Sequence, residues 1–304
     1  MGFLKFGKKS PGSQPDPHLE DLTVEEAALL RSLFAEIWQA SHGPITVHGD
    51  YAENAAGAQF GLYNLSRAVR LEPQRSWPQV VERHISGVMS RQSAPKDDEL
   101  SDDEILALVK ARLIPSSFLP ESHREAFTYR RVILDGLEAI LMLDHPEATT
   151  AVPDAIVSRF DPELLWSTAM AAVAGESLGE LHSVGEEDGM FRIAATESMF
   201  TASRVLDMPA LLAQAGVPSA PLGVLFAVPS RHHLAFHVVK GASAFSVVQH
   251  MHGFAQQAYG GGVGEISPNL FYWSEFGYEQ ITTIGEDGNV MIDGTGAFFD
   301  AINR

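Results

Sequence analysis

A chain of 304 residues with 45% hydrophobic and 20% charged residues is a foldable sequence, long enough for one large domain or two ordinary ones. It has no cysteine, which excludes disulfides, thiol nucleophiles, iron–sulfur clusters and thiolate zinc sites. The formal charge is −18; with Lys5, Lys8 and Lys9 set aside, 18 basic residues face 39 acidic ones, so the body of the chain repels phosphate backbones and is not expected to bind nucleic acid.

Residues 1–22 read as a disordered tail, because Pro11, Gly12, Ser13, Pro15 and Pro17 build no packed element. The start MGFLKFGKK lacks the apolar run of a secretory signal. Phe3, Leu4 and Phe6 beside the lysines would give weak, reversible contact with an anionic membrane. No window reaches the roughly 18–20 apolar residues of a membrane-spanning helix, so a cytoplasmic protein is expected. Thr23-Val24-Glu25-Glu26 forms a capping box. Leu30, Leu33, Phe34, Ile37 and Trp38 follow at helical spacing, up to Gly43-Pro44. Residues 45–51 and 59–63 read as two strands about a turn at 54–57. Helices then start at Asn64 and at Ser76, the second with Val81, His84, Ile85 and Val88 as its stripe.

Residues 94–104 hold Asp97, Asp98, Glu99, Asp102, Asp103 and Glu104. A calcium loop of the EF-hand type needs glycine at its sixth position and glutamate at its twelfth, and neither is present. The segment therefore reads as a solvated linker, with Ser101-Asp102-Asp103-Glu104 capping the next helix. This gives an N-terminal α/β subdomain at 23–95, an acidic linker at 96–104 and a main α+β domain at 105–304, packed together or apart.

Residues 126–134 and 137–144 read as a hairpin across Asp135-Gly136. Asp161-Pro162 opens a helix with Leu165, Ala169, Ala172 and Val173 inward. A polar, acidic loop at 175–189, a strand at 190–195 and a mainly helical stretch at 197–213 follow. Residues 222–239, LGVLFAVPSRHHLAFHVV, are two apolar strands broken at Pro229, Ser230, Arg231 and His232, expected in the middle of a sheet. A helix at 243–259 places Phe245, Val248, His252 and Ala255 on one side and stops at the glycines of 260–264. Strands at 270–273, 278–284 and 290–293, the last two about Asp287-Gly288, and a short helix end the chain. Hairpins dominate, so the expected fold class is α+β: a largely antiparallel sheet built from hairpins and covered by amphipathic helices.

The candidate site residues fall around the 229–232 break. His233 and His237 are four apart in a strand and share a face. With His250 or His252 they are candidate ligands for zinc, nickel or iron, although no HExxH pattern occurs and half-buried histidines are the plain alternative. Ser230, with neighbouring histidines and Asp144, is a candidate nucleophile, but the G-x-S-x-G elbow is absent and Pro-Ser-Arg suits an ordinary turn. The planar fork of Arg231 suits a carboxylate or phosphate, or else an ion pair with one of the chain's own acids. The 260–264 glycines follow a helix, where a phosphate loop would precede one, so no cofactor is expected there or elsewhere.

Gly61-Leu62-Tyr63-Asn64-Leu65, Trp77 with residues 80–85, Leu143-Asp144-His145-Pro146, the helix at 163–173 and FAVPSR at 226–231 together resemble the YtpQ-like family of uncharacterised bacterial proteins, over about residues 25–275. His232 departs from it, where the family favours an acid. The resemblance implies a fold and brings no activity or catalytic residues. Two functional readings follow. The first is binding to another, basic protein in a regulatory or immunity-like role, with Ser230, Arg231, His233 and His237 as binding residues. The second is a hydrolase or metal-dependent enzyme built on residues 230–237. With no catalytic motif, the first is preferred.

Overall fold

The Thr23 hydroxyl accepts from the Glu26 N–H at 3.2 Å and the Glu26 carboxylate accepts from the Thr23 N–H at 2.8 Å, so the first helix starts where the capping box places it. This is seen in a computed structural model, which describes residues 14–93, 96–146, 148–185, 189–261, 263–284 and 290–303. The chain divides into two compact units, one of residues 1–94 with 146–148 and one of residues 95–145 with 149–304.

The first unit contains α1 (Val24–His42), β1 (Ile45–Val47), β2 (Tyr51–Asn54), β3 (Gln59–Gly61), α2 (Tyr63–Arg70) and α3 (Trp77–Ser93). The predicted strand at 45–51 is split at 48–50, where the Gly49 carbonyl accepts two bonds from Arg31, at 2.9 and 2.6 Å. Leu30, Phe34 and Trp38 of α1 meet Leu65, Val69, Val81 and Ile85 in the core. The expected tail is corrected from Asp16 onward: Leu19 and Leu22 are buried in this core. Asp16 accepts from Arg31 at 2.9 and 2.7 Å and from the N–H groups of His18 and Leu19, and the Arg31 bonds chiefly hold its carboxyl at about 2. The membrane-contact expectation for residues 1–9 lies outside the described residues.

The second unit runs α4 (Asp102–Leu108), β4 (Val109–Pro115), β5 (Arg131–Leu134), β6 (Leu137–Asp144), β7 (Thr149–Ala151), α5 (Asp154–Val157), α6 (Pro162–Ala174), β8 (Leu181–Val184), β9 (Phe191–Ala195), α7 (Met208–Gln214), β10 (Val224–Ser230), β11 (His233–Val238), α8 (Ala244–Gly261), β12 (Leu270–Ser274), β13 (Gly277–Gln280), β14 (Thr282–Ile284), β15 (Val290–Ile292) and α9 (Gly296–Ile302). β4, β6 and β5 form one sheet with β7 added on β6; the larger sheet has the order β13-β12-β10-β11-β9-β8. All pairings among the described strands are antiparallel. The fold is α+β, with antiparallel sheets covered by helices. The 222–239 hairpin lies at the centre of the larger sheet, flanked by β12 and β9.

Alternation along β10 and β11 explains both layers. Leu225, Ala227 and Ala235 face Val247, Val248, Met251 and Ala255 of α8. Val224, Phe226, Val228, Leu234 and Phe236 face Val205, Met208 and Leu211, with Leu113 and Leu137 of the smaller sheet. Six expectations change: the strand read at 126–134 begins only at Arg131, the one read at 278–284 is divided between β13 and β14 in separate sheets, and four more follow. β8 lies in the stretch read as a loop; its last three residues are exposed, so no alternation announced it. Residues 202–207 form a 3₁₀ segment before α7. Phe245 is 54% exposed, and the inward line of α8 starts at Val247. The acidic segment is fastened at two points: Asp97 accepts from Thr150 Oγ1 at 2.6 Å and meets His145 Nε2 at 3.0 Å, and Asp102 meets Arg159 Nε at 3.0 Å. The Asp287-Gly288 turn lies outside the described residues. No helix of the described residues is long and apolar enough to cross a membrane.

Candidate functional site

The break in the hairpin is shorter than its composition suggests. Pro229 and Ser230 belong to β10, and only Arg231 and His232 turn. Proline has no N–H for a ladder, and the register slips between Ala227 and Ser230. A returning segment uses the displaced backbone: Ile266 N–H donates to Pro229 O at 3.0 Å, Ser267 N–H to Val228 O at 3.2 Å, and Arg231 N–H to Gly264 O at 2.9 Å. Gly264 has φ +70°, and a Cβ there would stand 2.6 Å from Arg231 Cδ.

Ser230 is fully buried, and its Oγ lies 2.8 Å from His233 Nδ1. The Asp144 expected to complete a triad instead accepts from Lys110 Nζ at 2.7 Å, and among the described residues no carboxylate bonds His233. Burial lowers the His233 pKa, so the ring is neutral near pH 7. The pair closes the hairpin from within. His237 Nδ1–H donates to Met190 O at 2.8 Å, and His252 Nε2 accepts from Gln256 at 3.2 Å. Among the described residues no three His, Asp or Glu side chains lie close enough to hold a metal ion, so His233, His237 and His252 are not brought together as ligands.

The turn itself carries a defined proton arrangement. Arg231 Nε–H donates to His232 Nε2 at 2.9 Å, so that nitrogen must offer its lone pair. The ring proton then sits on Nδ1 and donates to Ser198 O at 3.1 Å. Burial first, then the charge of Arg231, pushes His232 down to about 4. Ser198 Oγ donates to Glu176 at 2.6 Å, Glu176 pairs with Lys110, and Lys110 pairs with Asp144. A neutral histidine thus links the arginine to a polar chain reaching the smaller sheet.

A second feature lies at the β12–β13 hairpin. A cleft of about 600 Å³ opens between residues 219–223, the hairpin and α9. Phe276 at its lip is 89% exposed. Trp273, Glu275 and Asp300 line it, and no Lys or Arg does. Its floor is tight: Tyr272 Oη donates to Leu222 O at 2.8 Å, and Gly223, at φ +77°, lies against Trp273 O. Glu279 fixes α9 by accepting from the N–H groups of Ala297 and Phe298 at 2.9 and 2.6 Å. Sequence reasoning missed this cleft; the available signal was Phe276 beside Glu275 in a stretch, 241–303, without Lys or Arg.

Comparison with protein-family models, curated proteins and solved structures finds no match.

Proposed function

We propose that this protein acts by binding, and that the β12–β13 cleft receives a basic segment of another protein. One observation carries the reading: a phenylalanine 89% exposed stands at the mouth of a cleft bearing Glu275 and Asp300. Exposed single apolar residues are ordinary, but an aromatic at the rim of an acid-lined concavity has the makings of a binding anchor. Burying it would contribute about 1.5–3 kcal/mol. The carboxylates suit a lysine or arginine next to an apolar side chain, and the net charge of −18 would speed the approach of a basic partner. A stoichiometric masking partner, regulatory or immunity-like, is the concrete form. The absence of cysteine supports a cytoplasmic setting. The hydrolase reading has less support, since Ser230 has no exposed surface and His233 no bonded acid among the described residues.

The test is capture from a host lysate with the wild-type chain, Phe276→Ala and the pair Glu275→Gln with Asp300→Asn. A basic protein should be held at low salt, released at high salt and lost with both variants. Equal capture by all three would refute the proposal.

A further inference from the structure

We infer that the second unit holds a built site for a phosphoryl dianion between Arg112 and Arg231. Two neighbouring backbone contacts bring these arginines together from different sheets. Leu113 N–H donates to Ser203 Oγ at 2.9 Å, and Ala202 N–H donates to Arg231 O at 3.2 Å. The 3₁₀ segment therefore ties the edge of β4 to the turn after β10.

Arg112 is 6% exposed, and its buried Nε has no hydrogen-bond partner among the described residues. The Phe118 ring covers it, with its centroid 5.0 Å away. Among the described residues neither arginine has a carboxylate within ion-pair distance, in a chain with 39 acids. The charge felt at Arg112 is that of Arg231, which has the same sign; with burial as the larger cause, it brings Arg112 to about 10. Other arginines of this unit, the half-buried Arg124 and Arg130 and the buried Arg204, are compensated. Arg124 and Arg130 share Glu138 at 2.5 and 3.3 Å. Arg204 donates to Val173 O and to Gln214, and the charges of Asp207 and Glu176 reach it.

Two cations withdrawn from water with no counter-charge are unfavourable in the ligand-free fold. An oxyanion supplies both the missing charge and acceptors for the planar forks. His232 occupies the Nε–H of Arg231 and adds no charge of its own, which leaves the terminal nitrogens for the ligand. Two positive charges match a phosphoryl group, of charge about −1.5 to −2 near neutral pH, better than a carboxylate. Arg231 is only part-buried and offers the entrance, while the acidic exterior disfavours polyanions. The ligand is therefore inorganic phosphate or a small phosphomonoester.

The full chain is titrated with sodium phosphate, glycerol phosphate and sodium acetate, each against sodium chloride at equal ionic strength, with melting temperature and calorimetric heat as readouts. A saturable, phosphate-dependent rise is expected, at least tenfold weaker with acetate. Tighter binding of glycerol phosphate than of phosphate would assign the ester; the reverse would assign the free ion. Arg112→Met should lose the response while melting no lower than the wild type without ligand, because it removes a buried charge. Arg231→Gln, at the more open position, should weaken binding at least tenfold and serves if Arg112→Met does not fold. No shift up to about 10 mM phosphate, a range that would reveal even millimolar affinity, would overturn the inference, as would a response retained by Arg231→Gln.

Discussion

Replacing Gly223 by alanine tests the packing under the cleft. Gly223 sits at φ +77°, where a side chain adds about 1–2 kcal/mol of backbone strain. Its new Cβ would lie 2.4 Å from the Trp273 carbonyl oxygen and 2.4 Å from Tyr272 Oη. The first of these is backbone in the middle of a paired strand and cannot step aside. Overpacking of this kind costs about 1–3 kcal/mol. Displacing Tyr272 also puts its bond to Leu222 O at risk, about 0.5–1.5 kcal/mol more. The sum is about 2.5–6.5 kcal/mol. Gly136→Ala is the control, because Gly136 has φ +81° with nothing within 4 Å of the added carbon, so it carries the strain alone. Urea and thermal denaturation of both variants, followed by tryptophan fluorescence, measure the difference. At about 2–4 °C per kcal/mol for a unit of this size, Gly223→Ala should melt many degrees below Gly136→Ala. If the two variants lose equal stability, the close approach of β12 to Gly223 is wrong.

The turn supplies two further predictions. His232 falls from 6.5 to about 4 on folding, so the unfolded chain binds more protons between those values; stability is complete above about pH 6.5 and declines as the pH falls toward 4, by about 3 kcal/mol. His84, His233 and His252 also have lowered values, so the comparison is wild type minus His232→Gln across that window, and parallel curves would reject the neutral-histidine arrangement. Ser230→Ala should cost about 1–3 kcal/mol by leaving the buried His233 nitrogen unpaired, and a serine-directed covalent probe should leave Ser230 unlabelled in the native protein; stoichiometric labelling would restore the hydrolase reading.

What could be read from the chain alone was mostly what is encoded locally. Thr23 with Glu26, Asp161 with Pro162 and Asp135-Gly136 act over four residues or fewer, and all three stand where their chemistry puts them. The apolar runs on either side of Pro229 marked a central hairpin because both faces of its strands are covered. β8 was hidden for the opposite reason, since an exposed edge strand needs no apolar alternation. The candidate sites were harder. Ser230 and Arg231 are adjacent in sequence, yet one is sealed in and the other part-open, a distinction made by the returning 264–267 segment. Arg112 gives no local sign that it lies near Arg231, because that meeting depends on Ala202 and Ser203. Phe276 looks like any turn aromatic until its exposure is known.

The strand order also bears on how the larger sheet assembles. β10 and β11 are joined by two residues, as are β12 and β13, so their contacts close a very short loop and can form early. β12 then pairs with the opposite side of β10 only after the chain has travelled through α8. A ribosome releasing this sequence would present a zipped ribbon whose β10 edge stays unsatisfied until β12 arrives beside it, and the interval before that event is when the nascent chain is most exposed to wrong pairing.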